Sequence, residues 1–197
     1  MNVLLVDNGT SYLPQLRHLL ATEKVTSLPF QKLGQCSFDD YDLIILSGGH
    51  KYAIPGHHRK YAYELRQIRA TSKPVLGICL GFELIVVSFG GTLKLLRRKV
   101  HSEVVVSFEV SDPIASGLEA YKVFESHRRS VKKLPSSLIP LARSETGIEI
   151  IKHKERPIYG FQFHPEMSRS GQGRELIGRT IRLLMDDSEP IMKSAAS

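Results

Sequence analysis

Short apolar segments alternate with amphipathic ones through the first half of the chain. The apolar segments contain almost no polar positions, which is typical of strands buried on both faces of a parallel sheet. These predicted strands cover residues 3–6, 25–28, 43–46 and 74–78. Leucines and isoleucines at helical spacing predict helices over residues 11–21, 59–70 and 82–89. The pattern predicts an α/β fold, with a mostly parallel sheet and helices on both faces.

The second half of the chain has a different pattern, in which apolar segments are separated by turns with little helix between them. Its predicted strands cover residues 104–110, 122–125, 139–142, 148–151 and 158–163. We therefore expect an added, partly antiparallel β region, closed by a helix over residues 173–185. At 197 residues, the chain is expected to form one domain over residues 1–187, with a frayed tail at 188–197.

Composition and charge exclude several classes of protein. No apolar run approaches the roughly 18–20 residues of a membrane helix, and the N-terminus lacks the pattern of a signal peptide. The two cysteines, Cys36 and Cys79, form no CxxC pair, which argues against a disulfide framework and a structural zinc site. The adjacent His57 and His58 diverge, so no metal site is expected there. Free thiols favour the cytoplasm.

The chain carries 27 basic and 20 acidic residues, a net charge of +7, which allows an acidic partner, a nucleotide or a nucleic acid. Two basic clusters stand out, at residues 97–99 and 132–133. A solvated surface is the simplest interpretation, and a docking surface for an acidic protein is the second. Nucleic acid is the least favoured, because no aromatic residues are interleaved with the charges.

A glycine-flanked cysteine is the first sign of chemistry. Gly77 and Gly81 lie two residues before and after Cys79, where a strand is expected to give way to a helix. Such a strand–turn–helix elbow exposes a nucleophile. The following helix would lower the pKa of the thiol, and the backbone N–H of Leu80 would help to stabilise an oxyanion. A buried structural cysteine between two packing glycines is the alternative.

A cysteine nucleophile needs a base, and His164 is the best candidate among the eight histidines. It ends an apolar strand, Pro165 then turns the chain, and Glu166 follows. A carboxylate at that position can reach back and hold the imidazole in one tautomer. The sequence therefore predicts a Cys–His–Glu arrangement.

These motifs resemble those of the class I, or triad-type, glutamine amidotransferases. The motifs that carry the resemblance are, in chain order, Val6-Asp7-Asn8-Gly9, Ser47-Gly48-Gly49, Gly77-Ile78-Cys79-Leu80-Gly81, Gly90-Gly91, Ser126-His127 and the run from Pro157 to Glu166. Within this family, the opening motif and residues 141–154 are most similar to the free-standing glutaminase subunits of GMP synthase. Anthranilate and aminodeoxychorismate synthase subunits share the triad.

The resemblance implies a flavodoxin-like sheet and hydrolysis of L-glutamine through a thioester on Cys79. It implies His164 as the base, Glu166 as its orienter, and an oxyanion site between the N–H groups of Gly49 and Leu80. No cofactor and no metal are implied. Because the chain is too short for a second catalytic domain, the resemblance also implies a separate ATP-dependent synthetase that receives the ammonia.

The chain departs from the family pattern around the expected substrate. Glu83 stands where the family usually carries a glutamine that helps to hold the substrate. An acid there would repel the substrate α-carboxylate and attract its α-ammonium group. Arg128 and Arg129 follow Ser126-His127 in place of the usual glycine or methionine and acid. Either arginine can bind a carboxylate and offset Glu83, or both are solvated surface charges.

Three functions fit this sequence. The first is a glutaminase subunit that feeds ammonia to a partner synthetase. The second is a stand-alone γ-glutamyl hydrolase or peptidase on the same scaffold, in which Glu83 alters specificity. The third is a non-catalytic regulatory homologue, against which the intact set of Cys79, His164 and Glu166 argues.

Overall fold

The computed structural model describes residues 1–115, 117 and 119–186. The tail predicted at 188–197 lies outside these residues. In the described residues, nine strands form one sheet in the order β2-β1-β3-β4-β9-β8-β7-β5-β6. The strands are β1 (Asn2–Asp7), β2 (Lys24–Pro29), β3 (Leu43–Leu46), β4 (Val75–Ile78), β5 (Thr92–Phe108), β6 (Ala120–Lys133), β7 (Leu138–Ser144), β8 (Gly147–His153) and β9 (Ile158–Phe161).

Five of these strands, β2-β1-β3-β4-β9, are parallel throughout. Counted along the chain, this is the 2-1-3-4-5 order of flavodoxin-like, doubly wound sheets. The predicted α/β fold with a mostly parallel first half is therefore confirmed. In such sheets, ligands bind beyond the carboxyl ends of the strands, which directs attention to the residues that follow β1, β3, β4 and β9.

Helices cover both faces of the parallel strands. The helices are α1 (Leu13–Leu19), α2 (Ile54–His57), α3 (Ala62–Ala70), α4 (Leu80–Ser88) and α5 (Gln172–Asp186). Alternate residues of β1 enter two separate cores. Val3 and Leu5 pack in the core with α1 and α5, and Leu4 and Val6 pack in the core with α3 and α4. Because each of these four positions faces one core or the other, this part of β1 is a continuous apolar run.

Two predicted helices are shorter in the structure. The helix predicted over 11–21 spans only Leu13–Leu19, because the hydroxyl of Thr10 accepts a hydrogen bond from the N–H of Tyr12 and forms a turn first. The helix predicted over 59–70 begins as a 3₁₀ turn, His58–Tyr61, and becomes α3 at Ala62.

The second half adds the antiparallel strands β8, β7, β5 and β6 to the parallel sheet. β5 begins at Thr92, well before the predicted start at residue 104. Most of its residues between 92 and 102 are exposed on both faces of a two-stranded ribbon with β6. A strand segment that buries few of its own side chains shows no alternation of apolar and polar residues, so this part of β5 was not predictable from the pattern.

Within the described residues, no helix is long and apolar enough to span a membrane.

A buried carboxyl group couples the stability of this fold to pH. Glu64 of α3 is 1% exposed and accepts a hydrogen bond at Oε1 from the side-chain amide of Asn8, which follows β1. Burial raises the pKa of Glu64 from its ordinary value of 4.5 to about 8, although the Asn8 hydrogen bond lowers it. The folded protein therefore keeps Glu64 neutral at neutral pH, whereas the unfolded chain ionises it.

We expect Glu64→Gln to flatten the pH dependence of stability. A raised carboxyl pKa gives stability that is complete below pH 4.5 and is lost as the pH rises toward 8. The loss amounts to at most about 1.4 kcal/mol per pH unit. Glutamine keeps the acceptor for Asn8 and cannot ionise. The free energy of unfolding is measured with urea at pH 5 and pH 8. Between these pH values it should fall by about 2 kcal/mol or more further for the wild type than for the variant.

The exposed Glu145 provides the matched control. Glu145→Gln makes the same substitution on the surface. Its free energy of unfolding should depend on pH as that of the wild type does. If the free energy of unfolding changed equally from pH 5 to pH 8 in the wild type and in Glu64→Gln, the assignment of Glu64 as a neutral buried acid would be wrong.

Candidate active site

Residues that follow β3, β4 and β9 meet at one cavity of about 410 Å³ at the carboxyl edge of the sheet. Gly49, Cys79, Leu80 and His164 line it. A Cβ built on Gly48 would lie 2.7 Å from Cε1 of His164 and 3.5 Å from Cβ of Cys79. A side chain at position 48 would therefore collide with the imidazole, and the structure places these sequence-predicted residues around one cavity.

The backbone forms a strained elbow at Cys79. Its φ of 52° is the only positive value at a non-glycine residue among those described. Its N–H donates a 2.7 Å hydrogen bond to the carbonyl of Phe161 at the end of β9. A Cβ on Gly77 would lie 2.6 Å from the backbone of Gly81, and one on Gly81 would overlap the Leu46 carbonyl. The two flanking glycines are needed because the turn folds tightly onto itself and onto β3.

The thiol of Cys79 is buried, with the residue 4% exposed. It donates a hydrogen bond to the carbonyl of Ser126, with Sγ and O 3.9 Å apart. Burial raises the pKa of Cys79 well above its ordinary value, and the charges of Glu83 and Glu166 raise it further. The hydrogen bond from the N–H of Leu80 lowers it, but by less. The prediction of a lowered thiol pKa is wrong for the resting protein. A neutral thiol needs a base to remove its proton.

Three contacts hold His164 in place. Its Nδ1 donates to Oε1 of Glu166 over 2.8 Å, which leaves Nε2 as the acceptor. Its backbone N–H donates to the carbonyl of Phe124 in β6 over 2.7 Å. The ring of Tyr12 packs edge-on against the imidazole, with ring centres 4.8 Å apart. A 3₁₀ turn over Pro165–Met167 carries Glu166 back under the ring.

Gly49 and Leu80, whose N–H groups are expected to form the oxyanion site, line the same cavity as Cys79. Leu80 begins α4, so its N–H is one of the groups that a helix leaves without an intrahelical acceptor. A Cβ on Gly49 would overlap the carbonyl of Asn8 and lie 2.8 Å from the Leu80 side chain. Only glycine fits this close approach of the loop after β3 to the backbone of Asn8, which follows β1.

Glu83 lies inside α4 and is almost fully buried while lining the cavity. Burial raises its pKa to about 7, and the positive charges of Arg129 and His127 limit that rise. Of the two arginines proposed to offset this acid, Arg129 is the one whose charge acts on it. Arg128 also lines the cavity and is exposed.

A buried network supports the wall that carries these arginines. Nε2 of His127 lies 2.9 Å from Oε2 of Glu125, and Nδ1 donates to the Arg129 carbonyl over 2.7 Å. Although burial lowers it, the hydrogen bond to Glu125 and the charge of Glu149 raise the pKa of His127 overall. Burial and the Glu125 charge raise the pKa of Glu149 to about 8, and the charge of His127 limits that rise.

Sequence reasoning missed several of these residues. Tyr12 packs on the base, and Lys99 lines the cavity. Glu125 and Glu149 belong to different strands, β6 and β8. The one signal in the sequence was the Ser126-His127 motif. It indicates that this segment lines the cavity, but it does not indicate the buried Glu125 and Glu149.

The fold and the site together define the class of protein: an α/β enzyme with a cysteine on a strand–helix elbow and a histidine–carboxylate pair beside it. The model of the family "Glutamine amidotransferase class-I" matches residues 4–183. The chain belongs to this family, and the resemblance seen in its motifs is confirmed.

Relatives of known sequence and structure agree. The chain is 34% identical over 189 residues to the glutamine-hydrolyzing GMP synthase subunit of Pyrococcus abyssi, covering 92% of this chain and 97% of the relative. It is 36% identical over 150 residues to the protein of the same name from Methanococcoides burtonii, covering 75% and 76%. A solved structure from Thermoplasma acidophilum, described as the same GMP synthase component, superposes with a TM-score of 0.81 at 27% identity, covering 96% and 98%.

Proposed function

We propose that this chain is a glutaminase subunit that hydrolyses L-glutamine on Cys79 and delivers the ammonia to a separate ATP-dependent synthetase, of the GMP synthase type. The observation that carries the proposal is the single cavity shared by the elbow cysteine and the histidine held by Glu166. Its volume of about 410 Å³ suits a small-molecule ligand. The free thiols of Cys36 and Cys79 accord with a cytoplasmic location.

Acylation begins with proton transfer from the neutral thiol. Nε2 of His164 removes the proton while Sγ of Cys79 attacks the carboxamide carbon of glutamine. The negative charge that develops on the carboxamide oxygen is stabilised by the N–H groups of Gly49 and Leu80. His164 then gives its proton to the leaving nitrogen, and ammonia departs from the γ-glutamyl thioester.

Deacylation uses the same groups, with water as the nucleophile and the Cys79 sulfur as the leaving group. His164 removes a proton from a water molecule, whose oxygen attacks the thioester carbon. The C–S bond then breaks, glutamate leaves, and His164 gives its proton to Sγ of Cys79, which restores the thiol. Glu166 keeps Nδ1 protonated through both halves and stabilises the imidazolium that forms in each. The scheme needs only these groups and water.

Substrate selectivity is proposed to reside in Glu83 and the arginines. A bare carboxylate about 4 Å from the substrate carboxylate costs on the order of 4 kcal/mol, so Glu83 has to be offset. Its pKa of about 7 leaves it partly neutral at pH 7, and Arg129 compensates the ionised fraction. Arg128, on the same wall, is proposed to pair with the α-carboxylate of glutamine.

We expect loss of both arginines to raise the KM for glutamine at least tenfold, and Glu83→Gln to restore part of it. In the wild-type background, Glu83→Gln should lower KM or leave it unchanged. Without Arg129 the pKa of Glu83 moves further up, so KM of the arginine-free variant should rise with pH above 7. The triple variant should lose that pH dependence.

Steady-state kinetics of this double-mutant cycle from pH 6 to 9 provide the measurement. An interaction free energy below about 0.5 kcal/mol between Glu83 and the arginine pair would show that they act independently. It would reject the compensation and point to a substrate other than free glutamine.

Delivery of ammonia is tested with the chain in its native partnership. The tagged chain is purified from its host, and glutamine carrying ¹⁵N in the amide group is supplied together with ATP. A stoichiometric synthetase whose product contains ¹⁵N supports the proposal. Glutamine hydrolysis with no co-purifying synthetase would favour a stand-alone γ-glutamyl hydrolase. No hydrolysis, with or without a partner, would favour a regulatory homologue.

A further inference from the structure

The ribbon formed by β5 and β6 contains a bulge beside the cavity. Leu95 pairs with Arg129, and the next pair joins Val100 to His127. Residues 96–99 of β5 therefore stand opposite Arg128 alone. The extra residues cannot join the ladder, so β5 bulges away from β6 at this point.

The bulge concentrates positive charge. Arg97, Arg98 and Lys99 lie in it, Arg128 stands opposite, and all four are exposed. Among the residues that the structure describes, no carboxylate lies within ion-pair distance of any of them. Neighbouring like charges repel each other, so this arrangement is relieved by a partner that brings carboxylates.

An apolar side chain stands beside these charges. Leu95, the residue before the bulge, is 61% exposed, the highest exposure among the large exposed apolar residues described. We call the surface made of Leu95, Arg97, Arg98, Lys99 and Arg128 the basic rim. A large apolar residue next to unpaired arginines has the composition of an interface core with its charged surround.

The basic rim adjoins the entrance of the catalytic cavity. Lys99 and Arg128 line the cavity, whereas Arg97 and Arg98 do not. Free glutamine is a zwitterion without net charge and ammonia is neutral, so neither explains the charges that lie outside the cavity. A protein that covered this surface would close the entrance and could receive ammonia directly.

We propose that the basic rim is the docking surface for an acidic face of the synthetase that receives the ammonia. This inference rests on the proposed function, which supplies the partner. The arginines of the rim steer and orient the acidic face, and Leu95 enters an apolar site on it. Lys99 and Arg128 then lie where the two proteins meet the cavity.

The test compares two charge reversals of equal size. Arg97→Glu/Arg98→Glu changes the rim outside the cavity. Lys24→Glu/Lys32→Glu makes the same change on exposed residues at and just after β2, the opposite edge of the sheet. The probe is the ATP-dependent GMP synthase subunit of the same organism, and its binding to each variant is measured by surface plasmon resonance at 50 and 300 mM NaCl. Glutamine hydrolysis by each isolated chain is measured in parallel.

We expect the rim variant to bind the synthetase at least about tenfold more weakly, mainly through a slower association rate, with a weaker dependence on salt. The control should remain within about twofold of wild type, and both isolated variants should keep the wild-type KM and kcat. Leu95→Ser should also weaken binding, through faster dissociation and with little change in salt dependence.

Three results would overturn the inference. Equal binding of the rim variant and wild type would show that the synthetase docks elsewhere. Equal losses in the rim and control variants would show an effect of net charge alone. A raised KM in the isolated rim variant would assign the charges to substrate capture. If wild-type protein hydrolyses glutamine and does not bind the synthetase, the proposed partnership itself fails.

Discussion

Cys79→Ala should abolish glutamine hydrolysis, with kcat reduced by roughly four orders of magnitude or more. No other described thiol can replace Cys79, because Cys36 is half-buried in the 3₁₀ region after β2 and donates to the carbonyl of Leu33. Alanine keeps the Cβ and removes only the sulfur, so the circular dichroism spectrum and the melting temperature should stay near those of the wild type. The measurement is ammonia release at saturating glutamine.

Cys36→Ala is the matched control and should retain nearly full activity. A chloroketone analogue of glutamine should attach once per chain, at Cys79, as shown by peptide mass spectrometry. Attachment at Cys36, or turnover by folded Cys79→Ala protein, would reject the thioester mechanism.

His164→Ala should reduce the rate of acylation nearly as much as loss of the cysteine, since the neutral thiol of the resting site cannot react without a base. Glu166→Gln should have a smaller effect, with a rate of acylation roughly ten to a hundred times that of His164→Ala. The carboxylate orients and stabilises the imidazole across the 2.8 Å hydrogen bond, whereas the imidazole itself transfers the proton.

Single-turnover kinetics on both variants, with the glutamyl thioester trapped by acid quench, separate acylation from deacylation. Unfolding experiments on the same samples establish that each variant is folded. A Glu166→Gln protein slower than His164→Ala would reverse the roles assigned to these two residues.

The parts of the site that lie close together in sequence were predictable. The glycines around Cys79 mark an elbow because so tight a turn leaves no room for a Cβ two residues before or after the cysteine. Glu166 follows His164 within a single 3₁₀ turn. The positions of the strand ends came from continuous apolar runs such as residues 43–46, which the structure reproduces as β3 (Leu43–Leu46).

The parts that depend on contacts across the sheet were not predictable. The pKa of Cys79 is raised by burial and by Glu83 and Glu166, and one of these acids comes from the far end of the chain. His127 joins acids of two strands that are not neighbours in the sheet. The exposed start of β5 has no buried face to leave a pattern. Local signals thus identify the reacting groups, whereas their electrostatic environment follows only from the folded chain.

The backbone at Cys79 also constrains how this protein can be improved. The backbone of Cys79, with φ 52° and ψ −102°, lies in a sparsely populated region that costs an L-residue about 1–3 kcal/mol, and glycine adopts positive φ at little cost. The strain at φ 52° falls on the one residue that must keep its sulfur. A laboratory selection for heat resistance alone therefore rewards glycine at position 79 and yields stable, inactive protein. Screens for durable variants of this enzyme need a growth requirement for glutamine-derived ammonia imposed at every round.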